Sequence, residues 1–283
     1  MTTPQIVTTI AALRARIAAD RHQGAKIALV PTMGALHEGH LSLARLAHSL
    51  ADEVVVSIFV NPTQFAPHED FDRYPRVLQA DVEKLGNDNH ADVVFAPTIQ
   101  EIYPAGFATR IVMNGPAEGL ESDFRPHFFA GVTIIVAKLL LAALPEIAIF
   151  GEKDYQQLLV IRRLVSDLGI PANIIGAPIL RESDGLAMSS RNAYLSPEER
   201  KVAGKLNVIV SGLCARLRAG ETIPAVEKSG AHAVLDAGFS SVDYIAVRDA
   251  ATLAPITSLD APARVLAAAT LGKTRLIDNM AVT

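Results

Sequence analysis

Pro31-Thr32-Met33-Gly34-Ala35-Leu36-His37-Glu38-Gly39-His40 is the stretch that decides the fold. The run before it, Lys26–Val30, is apolar enough for a buried strand, and Leu41, Leu43, Leu46 and Leu50 after it return at helical spacing. A strand therefore runs into a glycine-bearing turn, and the turn opens a helix. His37 and His40 are three residues apart and share one face of that helix. Backbone N–H groups at a helix start have no intrahelical partner and face the same spot, which makes an anion site above the strand's carboxyl end.

Outward from this turn the alternation continues. Helical spacing over Ile6–Ala19 stops at Gly24, a left-handed cap. Beyond the helix from Glu38 to Ala51, Glu53–Val60 is a β-branched run typical of a strand buried on both faces. A polar segment from Ala66 to Arg73, a helix from Arg76 to Leu85 and a short strand Val93–Ala96 follow. Residues 97–129 lack periodicity and read as a long functional loop or interface segment. Helix Ala130–Leu144, strand Ile147–Phe150, helix Tyr155–Leu168 and strand Asn173–Leu180 then restore the pattern. The expected class is α/β: a Rossmann-like parallel sheet with helices on both faces over residues 1–182. Past the polar stretch Arg181–Ser196, a long helix Pro197–Ala219, a second helix Pro224–Ala237 and strands near Asp243–Val247, Arg264–Thr270 and Thr274–Ile277 predict a smaller C-terminal α+β domain. That domain, 183–283, is a candidate lid.

Composition narrows the function. With 26 basic against 30 acidic residues the net charge is −4, which gives no electrostatic case for nucleic acid. Cys214 is the lone cysteine, so neither an intrachain disulfide nor a thiolate metal cluster is expected. No basic segment precedes an apolar run near the start, and the apolar stretch Ile134–Phe150 is interrupted by Lys138, Pro145 and Glu146. A soluble, cytoplasmic protein without a membrane partner is the expectation.

Four polar segments follow four strands: His37/His40, Asn61/Gln64, Gly151-Glu152-Lys153-Asp154, and Arg181 through Arg191. In a parallel sheet all four lie along one edge, where ligands bind. Each has a plain reading as well. The histidines could cap the helix, Lys153 could pair with Glu152 or Asp154, Asn61 and Gln64 could satisfy loop backbone, and Met188-Ser189-Ser190-Arg191 could be linker. The zincin spacing is not met, because Leu41 stands where a second histidine at i+4 belongs. Neutral imidazoles at a helix start would instead donate to a phosphate and stabilise charge growing on it. Two hydroxyls beside an arginine suit a phosphate clamp. Asp70, Asp72, Asp81 and Glu83 include candidate magnesium ligands. Gly272-Lys273-Thr274 fails as a P-loop because Ala267 occupies the first glycine position. Cys214, at amphipathic helical spacing, reads as core.

PTMGALHEGH (31–40), VVVSIFVNPTQF (54–65), FGEKDYQQ (150–157), RESDGLAMSSRNAYLS (181–196), DYIAVRDA (243–250) and LIDN (276–279) together resemble the pantoate–β-alanine ligases of the HxGH-bearing adenylyl-transferring superfamily. The resemblance implies ATP-dependent condensation of pantoate with β-alanine through an acyl adenylate, with Mg²⁺ accompanying ATP and a homodimeric assembly. It implies that Met33, Gly34, Ala35, Leu36, His37, Glu38, Gly39 and His40 line the ATP site, with His37, His40 and Lys153 acting on the phosphates. Gly151, Glu152 and Asp154 would lie at the nucleotide, Leu180 would offer backbone to adenine, and Met188, Ser189, Ser190 and Arg191 would close over it. Gln64 and Gln157 would hold pantoate, Gln64 would also serve β-alanine, and Asn61 would support that pocket. One segment departs: the family pattern R-P-G-H-F-x-G-V reads Arg125-Pro126-His127-Phe128-Phe129-Ala130-Gly131-Val132 here, so the role of that histidine is not carried over; either His127 substitutes for it or the position is structural. From the residues alone, a nucleotidyltransferase for a phosphate-bearing acceptor and a non-catalytic nucleotide-binding protein remain alternatives.

Overall fold

The computed structural model describes residues 3–65, 71–87 and 90–282; Asp70 lies outside them. The chain packs as two compact units. The first comprises Met1–Met113, Arg125–Glu152 and Val160–Ala177, and the second Asn114–Phe124, Lys153–Leu159 and Pro178–Thr283.

Among the described residues, six parallel strands form the sheet of the first unit. Their spatial order is β1 (Gln5–Val7), β4 (Val93–Phe95), β3 (Glu53–Ile58), β2 (Ile27–Thr32), β5 (Ile147–Gly151) and β6 (Asn173–Ala177). On one face, Ala28, Val30, Val54, Val56, Ile147 and Ile149 pack with Leu43, Ala44 and Ala47 of α2 (Glu38–His48) and with Val82 and Leu85 of α3 (Leu78–Gly86). The alternate residues Ile27, Leu29, Val55 and Ala148 are just as buried. On β2 their cover is α6 (Phe128–Ala143), which in turn packs on α1 (Ile10–His22). Burial on both faces is why these strands read as unbroken apolar runs rather than alternating ones. From β2 the chain works outward through β3 to β4, whereas β5 and β6 lie on the other side of β2. The carboxyl ends of β2 and β5 therefore flank the switch point, where open α/β sheets bind ligands.

Several expectations need correction. Ile6 is not helical: Gln5–Val7 pairs in register with Val93–Phe95 as an edge strand, and α1 starts only after Thr9, whose hydroxyl accepts from the Ala12 N–H. Gly24 does adopt the left-handed φ, +85°, that ends this helix. Residues 97–129 are not structureless, since α4 (Ile99–Ile102) and α5 (Glu121–Phe124) lie within them and α6 already begins at Phe128. β6 stops at Ala177, short of Leu180.

In the second unit, α8 (Pro197–Ala203), α9 (Lys205–Arg218) and α10 (Ile223–Asp236) precede an antiparallel sheet of β7 (Ser241–Asp249), β8 (Ala263–Leu271) and β9 (Thr274–Ala281). Helices followed by adjacent strands match the α+β expectation. The single helix expected over 197–219 is broken at Gly204, where a Cβ would stand 2.7 Å from Asp184 Oδ2. Among the described residues, no helix is long and apolar enough to cross a membrane.

Candidate active site

The turn between β2 and α2 is built from backbone. Gly34 takes φ +84°, a conformation that favours glycine, and a Cβ there would crowd Asp81 Oδ2 and Ile58 Cγ2 at 3.1 Å. Asp81, on α3 and 1% exposed, accepts the N–H groups of Ala35 (2.9 Å) and Leu36 (2.8 Å), while Lys84 Nζ donates to the Leu36 carbonyl (2.6 Å). Burial pushes the Asp81 carboxyl up from its ordinary value. Asp81 thus builds the turn; it is committed to two N–H groups rather than held open for a metal.

His37 is the N-cap of α2. Its Nδ1 accepts from the Gly39 N–H (3.1 Å), and His40 Nδ1 accepts from the His37 N–H (3.4 Å), a capping box made by two imidazoles whose centroids lie 4.1 Å apart. A ring nitrogen that accepts carries no proton, so these bonds select the tautomer with hydrogen on Nε2 in both rings. The plain capping reading therefore holds for both side chains: their Nδ1 atoms hold the helix start, which leaves the donor function to Nε2.

Next along the sheet edge, Phe59 N–H donates to the Thr32 carbonyl (3.1 Å), joining the chain beyond β3 to the end of β2. Asn61, 0% exposed, is saturated: its Nδ2 donates to Gln64 Oε1 (2.9 Å) and to the Gly131 carbonyl (3.0 Å), and its Oδ1 accepts from Tyr103 Oη (2.7 Å) and Thr63 Oγ1 (2.9 Å). The close approach of α6 requires Gly131, because a Cβ would fall 2.2 Å from the Thr63 carbonyl oxygen. With its Oε1 on Asn61, Gln64 turns its NH₂ end away from that partner. Arg125 Nη2 holds the Gln64 carbonyl (3.1 Å), and its guanidinium lies 3.9 Å over the Phe128 ring. Phe128, where a histidine was expected, is therefore a platform for Arg125. His127 has φ −99°, open to any residue, and is exposed without capping α6 through its side chain. Tyr103 and Arg125 were not among the residues read from sequence, because both sit in the stretch without periodicity.

β5 ends at Gly151, whose position has open space where a Cβ would point, and Glu152 follows half-buried. In the second unit, Lys153 Nζ lies 3.7 Å from Asp154 Oδ2, both side chains partly exposed, so the plain ion-pair reading of Lys153 has a counterpart in the structure. Asn279 Nδ2 donates to the Lys153 carbonyl (2.9 Å). α7 (Tyr155–Leu168) starts here. Its buried Gln156 accepts the Glu121 N–H (3.0 Å) and donates to the carbonyls of Pro116 (3.0 Å) and Gly119 (3.1 Å). Glu121 is held in turn by Arg275 through two bonds (2.8 and 2.9 Å) and by Tyr244 Oη (2.6 Å). Half-buried Gln157 is the next residue along this pinned turn.

Leu180 to Met188 is a tight hairpin: Met188 N–H donates to the Leu180 carbonyl (3.0 Å), and Arg181 bridges Ala187. That carbonyl keeps a second lone pair. Ser189 Oγ accepts from the Arg191 N–H (3.3 Å) and opens the 3₁₀ turn Ser190–Tyr194. The failed leads fail in the structure too. Gly272-Lys273 is the two-residue loop between β8 and β9, and buried Cys214 has its thiol pushed up to about 11 by burial. Among the described residues no three His, Cys, Asp or Glu side chains could hold a metal together.

This arrangement matches known proteins over its whole length. The family model for pantoate-beta-alanine ligase matches residues 5–281. A pantothenate synthetase of Mesorhizobium japonicum is 56% identical over 282 residues, 100% of this chain and 99% of the relative, and one of Rhodopseudomonas palustris is 54% identical over 281, 99% of each. The crystal structure of pantothenate synthetase from Thermus thermophilus superposes with a TM-score of 0.92 at 43% identity, covering 98% of this chain and 99% of that one. A pantoate-beta-alanine ligase from Francisella tularensis, complexed with beta-gamma ATP and beta-alanine, gives 0.83 at 35%, covering 99% and 98%.

Proposed function

Since the chain belongs to the pantoate–β-alanine ligase family and forms pantothenate from pantoate, β-alanine and ATP, we propose that its carboxyl-edge residues carry an adenylation chemistry without a protein nucleophile. A carboxylate oxygen of pantoate attacks the α-phosphorus of ATP, the bond to the β-phosphate oxygen breaks, and pyrophosphate leaves. The β-alanine amine then attacks the acyl carbon, AMP departs as leaving group, and the amine loses a proton. A carboxylate has no usable leaving group; its adenylate does.

Both steps need placement and charge stabilisation more than covalent help. His37 and His40 donate from Nε2 to phosphate oxygens, and the start of α2 adds its partial positive charge. Lys153 takes phosphate charge, Gly151, Glu152 and Asp154 lie at the nucleotide, Leu180 offers backbone to adenine, and Met188–Arg191 closes on the phosphates. Gln64 and Gln157 hold pantoate by neutral amides, which leaves its carboxylate nucleophilic, and Asn61 fixes Gln64. Mg²⁺ suits this donor set only as an ion carried by the phosphates and water, since no protein cage of three ligands is built among the described residues. It would supply charge neutralisation on the departing pyrophosphate. We further take the enzyme to be a cytoplasmic homodimer; Val112, Leu141 and Leu144, 81%, 50% and 46% exposed, are the kind of side chain such a contact covers.

The observation that carries this reading is the imidazole capping box at the switch point. The test is pantoate-dependent exchange of labelled pyrophosphate into ATP. Exchange should require pantoate, and turnover to AMP and pantothenate should require β-alanine as well. ADP formation, or ATP consumption indifferent to pantoate, would refute it.

A further inference from the structure

Asp278 and Asn279 are adjacent on β9 and both 3% exposed, yet neither has a place in the chemistry above. Successive strand residues point to opposite faces. Asp278 lies in line with Leu276, Met280 and Val282, the residues that pack into the apolar cluster with Val210, Leu213 and Cys214 of α9. An ionised carboxylate there is costly unless paired. It is paired fork to fork with Arg181, at 2.8 and 2.9 Å. Arg181 Nη1 also donates to the Gly185 carbonyl (3.0 Å), so the Asp278 carboxylate is anchored to the hairpin that delivers Met188–Arg191. An apolar pair of the same volume would be about as stable. What the charged fork adds is orientation.

On the reverse face, Asn279 Oδ1 accepts from Arg264 Nη1, which fixes the amide so that Nδ2 donates to the Lys153 carbonyl (2.9 Å). The Arg264 guanidinium stacks 3.7 Å over the Tyr155 ring, and Tyr155 Oη donates to the Ala250 carbonyl (2.7 Å). The Lys153 carbonyl and the Tyr155 side chain, on either side of Asp154, are therefore held by β8, β9 and the residue after β7, which sets where the flexible Lys153 stem begins.

We propose that Asp278 and Asn279 are positioning residues for the nucleotide, Asn279 acting through Lys153 and Asp278 through Arg181 and the Met188–Arg191 turn. This rests on the nucleotide roles assigned to those two segments above. One strand then sets two phosphate-handling segments by a two-residue fork.

Asn279→Asp in the full-length enzyme keeps the acceptor for Arg264 and removes the donor to Lys153. In pyrophosphate exchange we expect kcat to fall about ten-fold or more, as for a misplaced catalytic group, with the pantoate KM unchanged. In a Lys153→Ala background the same substitution should cost less than about two-fold, because the residue-153 carbonyl remains but the ammonium it positions is gone. Asp278→Asn should raise the ATP KM. Amide hydrogen exchange should separate the two arms: Asp278→Asn speeds exchange in 181–191 but not in 153–159, and Asn279→Asp does the reverse. If Asn279→Asp fails to fold, Asn279→Ser carries the same comparisons. Equal losses with and without Lys153, or no split in hydrogen exchange, overturns the proposal. A wild-type enzyme without pantoate-dependent exchange instead overturns the functional reading, and the hydrogen-exchange split still decides this one.

Discussion

The two edges of the parallel sheet are built from opposite chemistry. At the amino-terminal edge, strand N–H groups are capped by carboxylates: Asp52 on Lys26 (2.9 Å), Glu146 on Ile27 (2.8 Å) and Asp92 on Val54 (2.8 Å). Glu53 pairs with Arg16 at 2.6 Å, and Arg16 also reaches Asp20. At the carboxyl-terminal edge the side chains proposed above for the substrates are imidazoles and an amide, His37, His40 and Gln64, with buried Asn61 behind Gln64. The buried acid there, Asp81, is turned inward onto two backbone N–H groups, while Glu38 and Glu152 lie nearer the surface. Parallel strands end in N–H groups at one edge and carbonyls at the other, so carboxylates cap the first without strain. The second is left to helix starts, which favour anions.

The comparison breaks if the donors at the carboxyl edge prove dispensable. His40→Ala removes one Nε2–H, and Lys153→Ala the cation beside Asp154. Each is expected to slow adenylation on the order of 10²-fold or more, with thermal unfolding nearly unchanged for Lys153→Ala and lowered for His40→Ala only by the lost cap bond, about 0.5–2 kcal/mol. Pyrophosphate exchange measures the first quantity and calorimetry the second; near-normal exchange in either variant contradicts the role.

Moving the amino edge's chemistry to the carboxyl edge sharpens the contrast. Gln64→Glu keeps an acceptor for Asn61 Nδ2 but places a charge where pantoate's carboxylate should sit. A like charge disfavours a second one, so the pantoate KM should rise about ten-fold with little change in the ATP KM. An unchanged pantoate KM would remove Gln64 from the acceptor pocket. Asp81→Asn is the complementary change: its amide offers one oxygen for two N–H groups. Leaving a buried donor unpaired costs about 1–3 kcal/mol, seen as a lower Tm together with weaker ATP binding. Stability without that loss would mean the turn does not depend on the carboxylate.

The carboxyl edge was legible because most of its chemistry is local. Pro31–His40 carries strand, turn, cap and both imidazoles within ten residues. Where the partner is remote, sequence reading fails in a predictable way. Asp81 looked like a metal ligand because its backbone partners lie 45 and 46 positions away. Gly204 was invisible as a helix break because the space it yields belongs to Asp184. β1 is three residues long and owes its identity to Val93–Phe95 across the sheet, so helical spacing in the residues that follow absorbed it. Phe128 was read only as a missing histidine; that it supports Arg125 needed the stacking geometry.

The amino edge makes a prediction of its own, and its expected effect on catalysis is nil. Burial, reinforced by Asp92 and Asp20 and opposed by Arg16, raises the Glu53 carboxyl to about 7 from an ordinary 4.5. Between those two values the folded protein holds a proton that the unfolded chain has lost. Stability therefore falls as pH rises from about 4.5 towards 7, with a slope of at most about 1.4 kcal/mol per pH unit for one proton, and levels off above. Glu53→Gln has no such proton to lose, so its Tm profile over that interval should be flatter than the wild type's, with pyrophosphate exchange unaltered. Parallel profiles would mean that Arg16 already neutralises Glu53, and that the carboxylates of this edge are tolerated at no electrostatic cost.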